Sequence, residues 1–120
     1  MLRKSQRDGF NSPADLLDYE IIQEQASALG RLGRGLEEAL RVLREFDAEC
    51  VPVQARSPAE RRQRAVLVGA AGHALWMFVV QREACGLRDS RTVMRDYKVP
   101  AEVQACQGTA VRDRGAATHS

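Results

Sequence analysis

Apolar residues recur with helical spacing through the first half of the chain. Ile22, Leu29, Leu36 and Leu43 repeat every seven positions, with Ala26, Gly33 and Leu40 on one flank and Ile21, Ala28, Leu32 and Ala39 on the other. The opposite face carries Arg31, Arg34, Glu38, Arg41 and Glu45, in which Arg34/Glu38 and Arg41/Glu45 stand four apart, as ion pairs along a solvated helix do. Ser12 is a good N-cap, Pro13 suits a first helical position, and Asp15 complements the positive helix end. The pattern predicts one helix from Pro13 to about Ala48. Gly30, Gly33 and Gly35 interrupt its composition; each costs about 0.8–1 kcal/mol relative to Ala in a helix interior. They mark a kink or a close approach by a neighbouring helix, and only Gly33 lies on the apolar face.

A second pattern centres on Ala65–Val80, which is uncharged and has one polar interruption, His73. At about 100° per residue, Leu67, Ala71, Ala74, Phe78 and Cys85 share one face. Val66, Ala70, His73, Met77 and Ala84 lie to one side, and Val68, Leu75 and Val79 to the other. Ala65, Gly69, Gly72 and Trp76 take the remaining face. A helix apolar all round is either enclosed or spans a membrane. The uncharged run measures only about 24 Å against a hydrocarbon core of about 30 Å, so enclosure is the expectation. Ser57-Pro58-Ala59-Glu60 forms a capping box at its start, and Gly86 followed by Leu87 supplies a left-handed stop after Cys85.

Beyond that stop, Asp89 can cap a short helix over about Ser90–Tyr97. Val99-Pro100 breaks it and opens another that ends near Gln107. Residues 1–11 read as a basic flexible arm and 109–120 as a small, polar flexible tail, leaving 12–108 as one helical domain. The expected fold is all-α: a long antiparallel helical hairpin with two short C-terminal helices at its open end. A hairpin covers only part of an apolar helix. The uncovered part, Val66, Ala70, His73 and Met77 or Gly69, Gly72 and Trp76, is therefore expected to self-associate, as a homodimer that completes a helical bundle.

Composition narrows the function classes. The chain has 120 residues, 44% hydrophobic and 28% charged, the balance of a folded domain. A net charge of +2 is too even to point to nucleic acid or an anionic membrane. Three scattered cysteines, Cys50, Cys85 and Cys106, form no C-x-x-C pair, which argues against a disulfide framework or zinc site. With no signal-peptide pattern at the N-terminus, the expected location is the cytoplasm.

Several segments have a familiar look. Tyr19-Glu20-Ile21-Ile22, Ala28-Leu29-Gly30, the run from Trp76 to Asp89, and Asp96-Tyr97 with Val99-Pro100-Ala101-Glu102-Val103 resemble a family of small helical bacterial proteins of unknown function. The resemblance covers about residues 15–106 and is most specific from Gln81 to Asp89. It implies a helical fold and a bacterial source, and it brings no activity, cofactor or catalytic residue. The family usually has glycine where this chain has Lys98, which argues against a tight left-handed cap there.

No catalytic, cofactor or metal set stands out. The di-iron pattern of Glu-x-x-His on two helices is missing, and His73 has no acid or cysteine three or four positions away. Cys85 precedes a helix C-terminus, where the dipole disfavours a thiolate. Glu20 and Glu24 share a helix face with no inferable pocket. The densest polar cluster is Gln81, Arg82, Glu83, Arg88, Asp89, Arg91 and Asp96, a salt-bridge network or a partner surface. Residues 92–106 have a helix-turn-helix look, yet Ala101–Ala105 offers one acid and no base to a phosphate backbone. The expected function is therefore a non-enzymatic helical protein working through self-association and protein–protein interaction. A DNA-binding accessory protein using residues 92–106 and the basic arm, and a small ligand binder or enzyme using a pocket over Gln81–Asp96, are the alternatives.

Overall fold

The computed structural model describes residues 12–49 and 52–107; the arm, Cys50 and the C-terminal tail from Gly108 lie outside them. The described residues are helical and contain no strand: α1 (Pro13–Glu49), a 3₁₀ turn (Val53–Ala55), α2 (Pro58–Ala84), α3 (Arg91–Asp96) and α4 (Ala101–Ala105). The protein is all-α.

Local chemistry sets the start of α1 and both ends of α2. At the start of α1, the Asp15 N–H donates to Ser12 Oγ (3.2 Å). At the start of α2, the Glu60 N–H donates to Ser57 Oγ (3.1 Å) and the Ser57 N–H donates to Glu60 Oε1 (2.8 Å), a complete capping box. The helix stops at Gly86, whose φ of 90° lets the Leu87 N–H reach the Arg82 carbonyl (2.8 Å). Ser90 takes the N-cap position of α3 but makes no side-chain cap hydrogen bond; Asp89, one residue earlier, accepts the Arg91 N–H on its Oδ1 (3.1 Å).

Leu36, Leu40 and Leu43 of α1 are buried with Val68, Ala71, Leu75, Phe78 and Val79 of α2 in one core, which Val93, Val99 and Val103 complete. Asp47 meets Arg64, and Gly33 lies beside Phe78, so the two long helices run in opposite directions. α1 continues unbroken through its three glycines. Gly33 serves packing: a Cβ there would sit 2.9 Å from Tyr97 Oη and 3.4 Å from the Phe78 ring, whereas one at Gly35 would meet nothing.

The two short helices depart from the expected place. They fold back along the long pair instead of closing its open end, so that α4 reaches Arg64, in the second turn of α2. Gly72 permits this, since a Cβ would lie 2.8 Å from the Cys106 carbonyl oxygen. Lys98 also differs from expectation. It adopts φ 53°, and the Val99 N–H donates to the Met94 carbonyl (3.0 Å), so a tight left-handed cap forms on a lysine. The core position of Val99 and Val103 enforces the turn, since the chain must reverse within a few residues to bury both.

A left-handed lysine costs roughly 1 kcal/mol that glycine does not. Lys98→Gly is expected to raise stability by about 1 kcal/mol and Gly86→Ala to lower it by a similar amount, each read as a shifted urea midpoint at unchanged slope.

Candidate functional site

The core-facing residues of α2 occupy one half of its circumference, and the diametrically opposite line is apolar too. Val66, Ala70, His73, Met77, Val80 and Ala84 follow one another at alternating steps of four and three residues, the spacing of a packed helical seam. All of them face outward. Val66 is 67% exposed, Val80 44% and Met77 38%, and Leu87, beyond the helix end, is 46% exposed. From Ala65 to Gln81 there is no charged residue at all, although an outward helix face is ordinarily its most polar one.

Of the residues expected to self-associate, Val66, Ala70, His73 and Met77 share this outer line. Trp76 and Gly69 stand at its edge, half-buried, with the His73 and Trp76 rings stacked at 6.2 Å between centroids. Gly72 is the exception. It is buried beneath Cys106 within the same chain and is closed to a second one. The physical reason is size, because only a glycine lets the end of α4 lie against the α2 backbone.

The polar cluster is looser than a network. Arg82 spreads over the Phe78 ring (5.9 Å) and its Nη2 donates to the Asp89 carbonyl (3.4 Å). Arg91 pairs with Asp89 (3.3 Å), whose carboxyl is held below its ordinary range by that hydrogen bond. Gln81 Nε2 donates to Cys85 Sγ (3.7 Å), Asp96 pairs with the adjacent Arg95, and Glu83 and Arg88 are exposed. These residues do not converge on a common point.

The ion network that does join elements lies at the other end. Arg64 Nε and Nη2 donate to the two Asp47 oxygens (2.8 and 3.0 Å), and its Nη1 and Nη2 donate to the Glu102 carboxylate (2.9 and 2.6 Å). One guanidinium thus bridges α1, α2 and α4. Arg56, with its side chain 6% exposed, adds a contact to Asp47 (3.3 Å) and lies over the Phe46 ring (5.7 Å). Hydrogen bonding from Arg64 holds the Asp47 and Glu102 carboxyls below their ordinary values. Residue-level reading missed this set. Its signal is Asp47, four residues after Leu43, which puts a carboxylate on the line that is apolar from Leu29 onward.

Two clefts accompany these features. One, of about 580 Å³, is lined by Glu37, Leu40, Arg44, Asp96, Tyr97 and Lys98. Burial pushes the Tyr97 phenol above its ordinary value. The other, of about 410 Å³, lies over Arg56, Arg61, Arg64, Ala65, Val68, Glu102 and Cys106. The second holds both Cys106 and Glu102, whose carboxylate accepts from Arg64. Among the described residues no three His, Cys, Asp or Glu side chains gather as a metal would require.

The chain belongs to a family of unknown function, DUF6665, whose model matches residues 6–115. Comparison with curated proteins gave no match. Comparison with solved structures gave none either.

The depressed carboxyls set a pH dependence. With folded pKa values below the ordinary 3.8 of Asp47 and 4.5 of Glu102, their stabilisation is complete above about pH 5 and is lost as pH falls through the folded values. Both acids are more than a third exposed, so each contributes at most about 1 kcal/mol. Arg64→Leu should lower stability by about 1–2 kcal/mol at pH 7 and flatten the acid limb of a stability–pH curve between pH 5 and 3 (approximate bounds).

Proposed function

We propose that this protein is a non-enzymatic helical protein that works by self-association, burying the outer face of α2 against a second copy. The observation that carries this reading is the outward line Val66–Ala70–His73–Met77–Val80, apolar where a solvated helix is polar. Leaving such a line in water forfeits about 25 cal/mol per Å² of apolar surface. The self-complementary patch of a two-fold dimer recovers it at the cost of one association.

α2 is also long and apolar enough to cross a membrane by length and composition. Against a span, α1 packs along it with Glu38, Arg41 and Glu45 ion-paired on the exposed face. The DNA-binding reading has less support than self-association. Glu102 is engaged by Arg64 and Val103 is fully buried, which turns two sides of the five-residue α4 inward.

Light scattering on a sizing column tests the proposal. The wild-type chain is expected to elute as a dimer. Met77→Glu buries a charge at the contact and should weaken the dimer at least about 100-fold, whereas Arg34→Glu on the charged face of α1 should leave the mass unchanged. A dimer indifferent to Met77→Glu, or a monomeric wild type, refutes it.

A further inference from the structure

The larger cleft, of about 580 Å³, lies between α1 and the turn from α3 to α4. Its volume falls in the roughly 300–1,000 Å³ range of small-molecule sites. Glu37, Leu40 and Arg44 follow at steps of three and four residues, so they share one line of α1. Asp96, Tyr97 and Lys98 form the facing wall.

The charges are spread along the cleft. The Glu37 and Asp96 carboxylates both act on the Tyr97 phenol, whose oxygen lies against Gly33, and this puts the two acids at that end. Arg44 stands about 10 Å further along α1, two turns beyond Glu37 and three residues before Asp47. Lys98 opens the stretch of chain that leads from Tyr97 to Glu102, which is level with Asp47 through their shared Arg64. Leu40 forms the apolar middle.

These polar groups are open to a ligand. Among the described residues, Glu37, Arg44 and Lys98 form no ion pair, and Asp96 meets only its chain neighbour Arg95, at 3.4 Å. Arg41, on the solvated face of the same helix, is by contrast clamped between Glu38 and Glu45. The Tyr97 ring is fixed edge to face on Phe78 at 5.5 Å, which holds its hydroxyl at one place in the cleft.

Lys98 adds an independent observation. Burying Val99 and Val103 requires a turn at φ 53°, but it does not require a lysine, since glycine takes that conformation without strain. A long charged side chain kept at a strained position on the wall of a cleft points to a task for that side chain.

We propose that this cleft binds a small zwitterion of the amino-acid or dipeptide class. Glu37 and Asp96 receive the ammonium group, Arg44 and Lys98 the carboxylate, and the apolar part of the ligand lies over Leu40 beside the Tyr97 hydroxyl. Two acids and two bases make the lining neutral, so a ligand with a single charge leaves one pair unanswered. None of the outward residues of α2 lines the cleft, and the site is independent of self-association.

Isothermal titration calorimetry on the full chain tests this, with glycyl-L-leucine and L-leucine as probes. N-acetyl-L-leucine and L-leucinamide each lack one charge and serve as controls. At least one zwitterion is expected to bind, and each control to bind at least about tenfold more weakly. Lys98→Gly should lose about tenfold or more in affinity while its urea midpoint rises, a combination that a merely structural lysine does not give. Arg44→Gln should weaken binding similarly, whereas Arg34→Gln, outside the cleft on the same helix, should leave it unchanged. The proposal is overturned if neither zwitterion binds, if a singly charged control binds as well, or if Lys98→Gly and Arg44→Gln bind normally. Chain mass is read separately, so a monomer that binds, or a dimer that does not, tells this proposal apart from self-association.

Discussion

Ala65–Val80 carries no charge, and each of its faces presents apolar atoms to water unless something lies on it. That demand shapes the rest of the protein. α1 covers one face with Leu36, Leu40 and Leu43, and the returning C-terminal segment covers a second with Val99, Val103 and Cys106. Close approach makes both possible. Gly33 lets Tyr97 and Phe78 meet edge to face at 5.5 Å, and Gly72 seats Cys106 against the α2 backbone. The third face has no neighbour among the described residues, and the functional reading grows from it.

Polar interactions fix the arrangement more than they strengthen it. Arg64 joins Asp47 and Glu102 across three helices, and its planar fork matches two carboxylates in one geometry, which sets how far α4 returns along α2. The partial exposure of both acids keeps their energetic share small, so register, and not strength, is what the network supplies. Lys98 shows the same priority from the other side. Burying Val99 and Val103 outweighs the strain of a left-handed lysine at the turn between α3 and α4.

Much of the candidate site was legible in advance. The residues Val66, Ala70, His73 and Met77 could be grouped from their spacing because angular position around a helix depends only on its pitch. Spacing groups Gly72 with Gly69 and Trp76 as a face for a second copy, yet Gly72 lies buried beneath Cys106, since spacing says where a residue points and nothing about what waits there. The Arg64 network is not legible in the sequence because its three members come from separate elements. Asp47, a carboxylate on an apolar line, was the one local hint. The Gln81–Asp96 cluster looked dense in sequence yet disperses in space, because a left-handed stop at Gly86 redirects the chain in its middle.

By itself the sequence determined the all-α class and the ends of the long helices, because caps, proline positions and a left-handed glycine act within a few residues. It also determined that α2 is apolar on every side. Only the tertiary structure decided which of those sides face α1, which face the returning C-terminal segment, and which remain in water. That allocation depends on contacts between residues far apart in the chain, where the steric allowance of one glycine or the fit of one guanidinium selects among faces that periodicity leaves equivalent. That the longer α1 projects beyond α2 has the same origin: the helix lengths were readable, but their relative register is set by the packing of Phe78 against Gly33 and the pairing of Arg64 with Asp47.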